Sequence, residues 1–357
     1  MSSTEMDGAM AGKVQYRSGI IGCGGIARAH AKGYEDVART TLVAGADPSS
    51  AQCRKFEGLF PQIKMYADQQ EMLDAEKLDL VSVCTWPPLH EEGVVAAAGA
   101  GVKGIVCEKP MALNLAQVDR MLGACDRNGV KLIVGHQRRF NKRYIQAKEA
   151  LKRGEIGDLV EVRGMCRGDF LDGGTHNIDL IRYFVDDEPI RWVMGQINRQ
   201  PWGRVGRETV RYGHQVEAGA IARFDFANGV RGLMETGDAS HPVYQYLIIE
   251  GTEGRIDVYG DWHRGKRLSG WRILRSGEGG WEEHLVEEES NAFAVQIQEL
   301  LRWIEEGGDH LLSGQSARAD TEVLMAVFES CRLRSTVELP LNITENPLET
   351  MVEAGEI

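Results

Sequence analysis

The stretch YRSGIIGCGGIARAHAKGY, residues 16–34, decides the fold of the N-terminal half of the chain. Its first part, up to Ile21, is a predicted β-strand that leads into a glycine turn, and the residues from Ala27 to Tyr34 follow the pattern of a helix. Gly22, Gly24 and Ala27 therefore form a G-x-G-x-x-A pattern between a strand and a helix. In that context, each small residue has a steric role: a tight turn, an open backbone, and close packing of helix on sheet.

This turn is typical of a dinucleotide-binding site, with Gly25 and Ile26 completing it. Unpaired N–H groups at the start of the helix attract the pyrophosphate. Asp47 ends the next predicted strand, 25 positions after Gly22, and a carboxylate there accepts from the ribose hydroxyls. The alternative is a glycine-rich turn without function, with Asp47 as a turn residue before Pro48.

The same carboxylate repels a 2′-phosphate, which favours NAD over NADP as the cofactor. Ser49, Ser50 and Arg54 lie close to Asp47 in the sequence and soften that preference. NADP therefore stays possible.

Strands and helices alternate through the first half, which predicts a parallel sheet covered on both faces. After Gln137, consecutive strands without helices between them predict an antiparallel or mixed sheet. We expect an α/β chain with an N-terminal Rossmann domain, a second α/β domain and an acidic tail that is poorly ordered at its end; the ranges are 15–136, 137–341 and 342–357.

The composition excludes several classes of protein. The chain has 53 acidic and 41 basic residues and a net charge of −12, which argues against a nucleic-acid or anionic-membrane partner. No apolar run is long enough to span a bilayer, and residues 1–14 hold no signal-peptide core, so we expect a cytoplasmic protein. The seven cysteines form no C-x-x-C pair, so we expect neither a disulfide framework nor a metal site, and Cys107 is interpreted as a small strand residue.

Several further motifs resemble the glucose–fructose oxidoreductase / inositol dehydrogenase (Gfo/Idh/MocA) family. The likeness covers about residues 18 to 341. The segments that carry it, beside the glycine pattern, are Thr85-Trp86-Pro87-Pro88-Leu89-His90, Glu108-Lys109-Pro110, Gln137-Arg138-Arg139-Phe140, the Asp-x-x-x-His motif within residues 171–179, and Val337-Glu338-Leu339-Pro340.

The resemblance implies a Rossmann domain followed by an α/β domain with an open, mostly antiparallel sheet, which in the family commonly forms homodimers or homotetramers. It also implies that the peptide bond before Pro110 is often cis. The cofactor contacts that it implies are Thr85, Trp86, Pro87, His90, Glu108, Lys109 and Gln137. For three of these a structural role remains open: packing for Trp86, helix capping for His90 and anchoring of the loop for Glu108.

Removing a hydride from a carbinol leaves a proton, so a base and a donor to the oxygen are needed. Asp172 and His176 are four residues apart, which on a helix places them on one face. We expect the carboxylate to orient His176 and raise its basicity, which makes His176 the candidate base and Lys109 the candidate donor. Gly173 and Gly174 beside them suggest that a ligand approaches the backbone. The alternatives are an ordinary helix histidine and a solvated lysine paired with Glu108.

Candidate substrate contacts are Arg167 and Asp169, which lie just before Asp172, and Trp202, Arg204 and His214 in a long polar loop. Such a loop can reach over a substrate, although a solvated charged loop is an equal alternative.

The function predicted from these residues is NAD(P)-dependent hydride transfer at a carbinol or carbonyl carbon of a sugar, cyclitol or glycoside. One alternative is a redox-neutral lyase or glycosidase that acts through a 3-keto intermediate. The other is a non-catalytic, cofactor-binding regulator.

Overall fold

The computed structural model describes residues 14–199, 209–237, 245–263, 266–287 and 291–357. The chain divides into two compact units. The first comprises the described residues of Met1–Glu108, Gly123–Ile133 and Ser290–His310, and the second comprises those of Lys109–Leu122, Val134–Glu289 and Leu311–Ile357.

The helices alternate with strands in the first part of the chain and are sparse in the second. They are α1 (Ala27–Asp36), α2 (Ser50–Leu59), α3 (Gln69–Glu76), α4 (His90–Gly99), α5 (Leu115–Asn128), α6 (Lys142–Lys152), α7 (Thr175–Phe184), α8 (Ala292–Glu306), α9 (Gly314–Leu333) and α10 (Pro347–Glu353). None of them, among the residues described, combines the length and the apolar character that a membrane crossing requires.

A parallel sheet of six strands runs in the order β3-β2-β1-β4-β5-β6. Its strands are β1 (Tyr16–Ile21), β2 (Thr40–Ala46), β3 (Lys64–Tyr66), β4 (Leu80–Val83), β5 (Gly104–Cys107) and β6 (Lys131–Val134). The order reverses between β1 and β4, and ligands of such sheets bind at the carboxyl ends of the strands beside that reversal. The predicted Rossmann sheet is thereby confirmed, while β3 and α3 are elements that the sequence patterns did not indicate.

The second sheet is mostly antiparallel, as predicted, with β7 and β12 as a parallel pair. Its order within the described residues is β16-β15-β14-β13-β7-β12-β11-β8-β17, and β9 and β10 form a separate hairpin. The strands are β7 (Leu159–Cys166), β8 (Ile190–Asn198), β9 (Val210–Arg211), β10 (His214–Gln215), β11 (Gly219–Phe226), β12 (Arg231–Thr236), β13 (Gln245–Gly251), β14 (Gly254–His263), β15 (Lys266–Arg275), β16 (Glu282–Leu285) and β17 (Val337–Glu338). Helices α7 and α9 pack on β7 and β8, over a core that includes Phe224, Phe226 and Phe328.

Helix α8 belongs to the first unit although it follows the second sheet in the chain. Its Phe293 ring lies 5.0 Å from the His30 ring of α1, and Glu305 accepts a hydrogen bond from Tyr16 of β1. The continuous ranges 15–136 and 137–341 predicted from the sequence therefore differ from the compact units, because the apolar face of α8 finds its partner on an element about 260 residues earlier.

The acidic tail predicted for residues 342–357 contains a helix, while poor order at its very end stays a prediction. Residues Pro347–Glu353 form α10, whose Leu348 and Met351 are 0 % and 2 % exposed. Asn346 caps this helix by accepting from the Leu348 N–H at 3.0 Å. Two buried apolar side chains and a cap are enough to order a short acidic segment against the core.

The close packing of α8 on α1 predicts that Gly33 tolerates no side chain. A Cβ at Gly33 would lie 3.1 Å from the Phe293 backbone carbon and from Ile297 Cδ1. We expect Gly33→Leu to lower the free energy of unfolding by about 1–3 kcal/mol through overpacking, as measured by urea denaturation. The matched control is Gly58→Leu in α2, where an added Cβ meets nothing within 4 Å. An unchanged midpoint for Gly33→Leu would contradict this packing.

Candidate active site

The glycine turn after β1 has the geometry that its sequence predicts. Gly22 has φ +84°, and a Cβ there would lie 2.7 Å from the Thr85 backbone nitrogen. Added Cβ atoms at Gly24 and Gly25 would meet nothing within 4 Å. Ile26 supplies no side-chain cap to α1, so no side chain of this residue competes for the amide groups at the start of the helix.

Asp47 is bound to the same turn. Its Oδ2 accepts from the Cys23 N–H at 2.9 Å, and its Oδ1 accepts from the Ser49 N–H at 2.8 Å. Thr85 adds a buried hydroxyl oxygen that has no hydrogen-bond partner among the described residues. An open helix N-terminus, a nearby carboxylate and an unpartnered hydroxyl fit the phosphates and hydroxyls of a dinucleotide.

The segment from Thr85 to His90 combines an exposed and a buried ring. Trp86 is 60 % exposed, whereas Pro87 and His90 are buried. His90 Nε2 lies 3.1 Å from the Thr85 carbonyl oxygen, so this ring stabilises the loop that carries Thr85. Its predicted contact with a cofactor, and that of Trp86 and Pro87, stay predictions.

Glu108 anchors the end of β5. Its carboxylate lies 2.8 Å from Nε2 of the buried His30, whose Nδ1 lies 3.0 Å from the Ser82 hydroxyl. The anchoring role left open for Glu108 thus has a structural basis. Cys107 beside it is fully buried in β5, where burial raises the pKa of its thiol well above the usual range.

Lys109 and Asp172 form the central ion pair of the second unit. Lys109 Nζ donates to Asp172 Oδ1 at 2.6 Å and to the Asp172 carbonyl oxygen at 3.3 Å. The Lys109-Pro110 peptide bond is cis, as the resemblance implied. This ion pair brings together two of the three predicted catalytic residues, which are 63 positions apart.

A second cation, Arg211, also binds Asp172, and the sequence analysis did not identify it as a site residue. Its Nη1 lies 3.1 Å from Asp172 Oδ2 and 3.1 Å from Asp169 Oδ2. Burial raises the pKa of the Asp172 carboxyl, but Lys109 and Arg211 outweigh it, so that the pKa lies below its usual value. Asp172 is therefore an anion held between two cations.

The predicted partnership of Asp172 with His176 is wrong. Asp172, in a π-helical turn (Phe170–Gly174) before α7, pairs with Lys109 and Arg211, and no hydrogen bond joins it to His176 within the described residues. Burial, together with the charges of Arg138 and Lys109, lowers the pKa of His176 well below its usual value. The structure thus keeps His176 neutral instead of raising its basicity.

His176 is 4 % exposed, and its Nδ1 has no hydrogen-bond partner among the described residues.

The interpretation of Gly173 and Gly174 as evidence of a bound ligand also changes. A Cβ at Gly173 would lie 2.5 Å from the Arg167 carbonyl oxygen, and one at Gly174 would lie 2.8 Å from the Phe170 ring. These glycines permit close packing within the protein and give no evidence of a ligand at the backbone.

The predicted substrate contacts meet different outcomes. Asp169 is buried and accepts from the Asp172 N–H at 2.7 Å, while Arg167 is exposed. Trp202 and Arg204 lie outside the described residues.

His214 lies on β10, and its register partner across the hairpin is Arg211. Part of the predicted loop is therefore a hairpin, turned by Tyr212 and Gly213 at φ +51° and +81°. Gly213, between two short strands, is the feature of the sequence that could have indicated this hairpin, because glycine adopts a positive φ at a turn.

Gln137 begins a 3₁₀ turn, Gln137–Phe140, and its side-chain oxygen is buried without a hydrogen-bond partner among the described residues. Arg138 in the same turn donates to Gln245 of β13. An unpartnered buried amide oxygen is free to accept from a bound ligand, which agrees with the role that the resemblance implied for Gln137.

A buried charged cluster below α7 is another feature that the sequence patterns did not indicate. His136, Asp179 and Asp320 place one ligand atom each within 4.8 Å of one another, a spacing compatible with a metal ion. Arg139 Nε, however, donates to Asp179 at 2.7 Å, and Arg182 donates to Asp320 at 2.6 Å. The two guanidinium groups already supply the positive charge that a cation would bring.

Residues 16–136 match the NAD-binding Rossmann domain of the GFO/IDH/MocA oxidoreductase family, and residues 166–257 match the C-terminal domain of that family. The chain belongs to the Gfo/Idh/MocA oxidoreductase family. It is thus an NAD-binding oxidoreductase, and the fit of the glycine turn and Asp47 to a dinucleotide agrees with this membership.

Relatives in this family carry dehydrogenase names. The chain is 30 % identical over 260 residues to a myo-inositol 2-dehydrogenase of Thermotoga maritima. The aligned region covers 67 % of this chain and 74 % of the relative. It is 28 % identical over 364 residues to a D-apiose dehydrogenase of Paraburkholderia graminis, at 96 % and 95 % coverage. Among solved structures, a levoglucosan dehydrogenase in complex with NADH and L-sorbose has the same fold at 20 % identity, with a TM-score of 0.79 over 92 % of this chain and 100 % of the other.

The burial of His176 predicts a pH-dependent stability. Because the folded pKa is lowered, the unfolded chain takes up a proton as the pH falls below about 6.5, and the folded chain does not. The contribution of His176 to stability is thus fully present above pH 6.5 and is lost on acidification, by at most about 1.4 kcal/mol per pH unit.

We expect the free energy of unfolding of His176→Gln to depend less steeply on pH between 7 and 5 than that of the wild type. Urea denaturation at several pH values measures both slopes. Equal slopes would show that the imidazole titrates alike in the folded and unfolded chains.

Proposed function

We propose that this protein is an NAD-dependent dehydrogenase that transfers a hydride between the nicotinamide and a carbinol or carbonyl carbon of a sugar, cyclitol or glycoside. The observation that carries the proposal is the Lys109–Asp172 pair, 2.6 Å between Nζ and Oδ1, in the same unit as the buried neutral His176. The relatives named myo-inositol 2-dehydrogenase and D-apiose dehydrogenase support the class of substrate.

The nicotinamide, when bound, accepts the hydride from the carbinol carbon. The hydroxyl proton then needs an acceptor, and a neutral imidazole at physiological pH is one. His176 is neutral because burial and nearby cations disfavour its charged form. In the reductive direction, the same residue returns the proton.

Lys109 is proposed to donate a hydrogen bond to the reacting oxygen. An ammonium there stabilises developing negative charge on that oxygen. Asp172 stays ionised between Lys109 and Arg211, so it holds the ammonium in place without taking its proton. Asp172 is also free to accept from a substrate hydroxyl with its remaining lone pairs.

The other predicted contacts become part of the proposal. The cofactor residues are those of the glycine turn with Asp47, Thr85, Trp86, Pro87, His90, Glu108, Lys109 and Gln137. The substrate residues are Arg167, Asp169, Trp202, Arg204 and His214, to which the structure adds Arg211 as a neighbour of Asp169 and Asp172.

NADH formation at 340 nm with a panel of inositols, aldoses and glycosides tests this proposal. We expect a substrate-dependent rise with NAD. Lys109→Ala and His176→Ala should still bind NADH but lose about 10²–10⁴-fold in kcat, because each removes proton transfer or charge stabilisation. Matched controls are Lys152→Ala and His284→Ala, whose side chains lie at other positions of the second unit.

Normal turnover in either active-site variant would remove its assigned role. Tight NAD binding without net NADH formation would instead point to a redox-neutral reaction, or to a regulator if no product appears either.

The carboxylate of Asp47 predicts the choice between the two nicotinamide cofactors. Asp47→Asn keeps the shape but removes the charge that repels a 2′-phosphate. We expect the ratio of the Kd for NADP to the Kd for NAD to fall by about tenfold, a change of about 1.4 kcal/mol, as measured by fluorescence titration. Asp74→Asn in α3 is the control, and an unchanged ratio for Asp47→Asn would overturn the role of Asp47.

We also propose that the protein acts in the cytoplasm as a homodimer or homotetramer. The cysteines of the described residues are free thiols, as expected in a reducing compartment. Met194 and Ile221 on adjacent strands are 49 % and 59 % exposed, an apolar surface of the kind that self-association covers.

A further inference from the structure

The orientation of the His176 ring needs a group other than Asp172 to fix it. Asp172, which the sequence suggests as its partner, is bound to Lys109 and Arg211. A base must keep its reacting nitrogen aimed at the proton that it accepts, and a loosely held ring loses rate. The described residues around His176 therefore have to supply another constraint.

His136 lies beside it. The two imidazole rings meet edge to face, 5.8 Å apart at an angle of 74°. His136 Nε2 lies 3.0 Å from the hydroxyl of Thr175, the first residue of α7 and the neighbour of His176 in the chain. His136 thus contacts the ring of His176 and also binds the side chain of Thr175, the residue before it.

The other side of His136 faces two buried carboxyls. Its Nδ1 lies 3.4 Å from Asp320 Oδ2 and 3.7 Å from Asp179 Oδ1. The imidazole is 2 % exposed, and both aspartates are 1 % exposed. Both ring nitrogens therefore have a neighbour of fixed position, which sets the orientation of the imidazole.

The aspartates are themselves rigidly held. Arg139 links Asp179 to Asp187 through bonds of 2.7 Å each, and Arg182 donates at 2.6 Å to Asp320 and at 2.8 Å to the Ser316 carbonyl. The cluster joins three elements: the 3₁₀ turn that follows His136 and holds Arg139, the helix α7 that carries His176, and α9.

Burial keeps His136 neutral within the cluster. Two guanidinium groups face three carboxyls, those of Asp179, Asp187 and Asp320. Burial, together with the charges of Arg139 and Lys109, lowers the pKa of His136 well below its usual value, and burial raises the pKa of Asp179 and of Asp320. His136 therefore adds no positive charge next to His176.

We propose that His136 is a positioning residue for His176, because it ties Thr175 to the buried Asp179–Asp320 pair and so holds the His176 ring in one orientation. This inference rests on the proposed function only where turnover is measured. The state of the His176 ring is measurable without substrate or cofactor.

A double-mutant cycle of Thr175→Val and His136→Phe tests the proposal. Both changes keep the volume and remove the hydrogen bond between residues 175 and 136. We expect each single variant, and the double variant, to lose about tenfold in kcat, since all three lack the same bond; the coupling is about 1.4 kcal/mol. The Kd for NADH and the KM should stay within about twofold.

Two further variants separate positioning from loss of stability. Gln at position 136 can accept from Thr175 and donate to Asp320, so His136→Gln should recover kcat to within about threefold of the wild type. Thr321→Val removes a buried hydroxyl bond to the Ala317 carbonyl in α9 and should leave kcat unchanged. If His136→Phe fails to fold, His136→Leu, which likewise offers Thr175 no hydrogen bond, takes its place in the cycle.

The second readout is ¹⁵N NMR of the histidine rings in the full chain without ligands. We expect one sharp set of His176 ring signals in the wild type and shifted or broadened signals in Thr175→Val and His136→Phe. An unchanged His176 signal in both variants would overturn the inference. A loss of about a hundredfold in kcat in the double variant would do so as well, because it would mean that the two tenfold losses are independent. Should the wild type turn over no substrate of the panel, the proposed function fails, and the NMR result still decides the role of His136.

Discussion

The ion pair between Lys109 and Asp172 lies at the centre of the charged groups around the candidate catalytic residues of the second unit. It binds the residue after β5 to the π-helical turn before α7 with a bond of 2.6 Å. Burial raises the pKa of the Asp172 carboxyl, but Lys109 and Arg211 outweigh it, so that the carboxyl stays ionised. Burial, together with the charges of Arg138 and Lys109, lowers the pKa of His176 well below its usual value. The charge of Lys109 therefore acts on both Asp172 and His176.

Acid and base are separated here by environment rather than by residue type. A histidine beside a carboxylate would be a stronger base, but it would also be protonated, and hence occupied, over part of the physiological range. The structure instead pairs the carboxylate with cations and leaves the imidazole in an apolar, positively charged surrounding. In the proposed dehydrogenase, Lys109 polarises the oxygen while His176 is available to accept the proton.

The cofactor part of the site depends on backbone space. Gly22 approaches the backbone of Thr85 so closely that any side chain would collide with it. Gly24 and Gly25 leave the start of α1 uncovered, and Asp47 is bound to the Cys23 N–H. These are features of local sequence on a parallel sheet, which explains why a short glycine pattern predicts them well.

The sequence by itself determined the parallel and the antiparallel sheets, the glycine turn with its carboxylate, and the identity of Lys109, Asp172 and His176 as candidates. Those predictions rest on local periodicity and on motifs within one turn or strand, which need no knowledge of distant contacts. Only the tertiary structure decided the rest: α8 packs on the first unit, α10 is ordered by two buried side chains, and Arg211 arrives on a separate hairpin. It also replaced Asp172 by His136 as the group that contacts His176, and it assembled the Asp179–Asp320 cluster. These contacts join residues far apart in the chain, and their energy depends on burial and on the position of distant charges, which residue spacing does not encode.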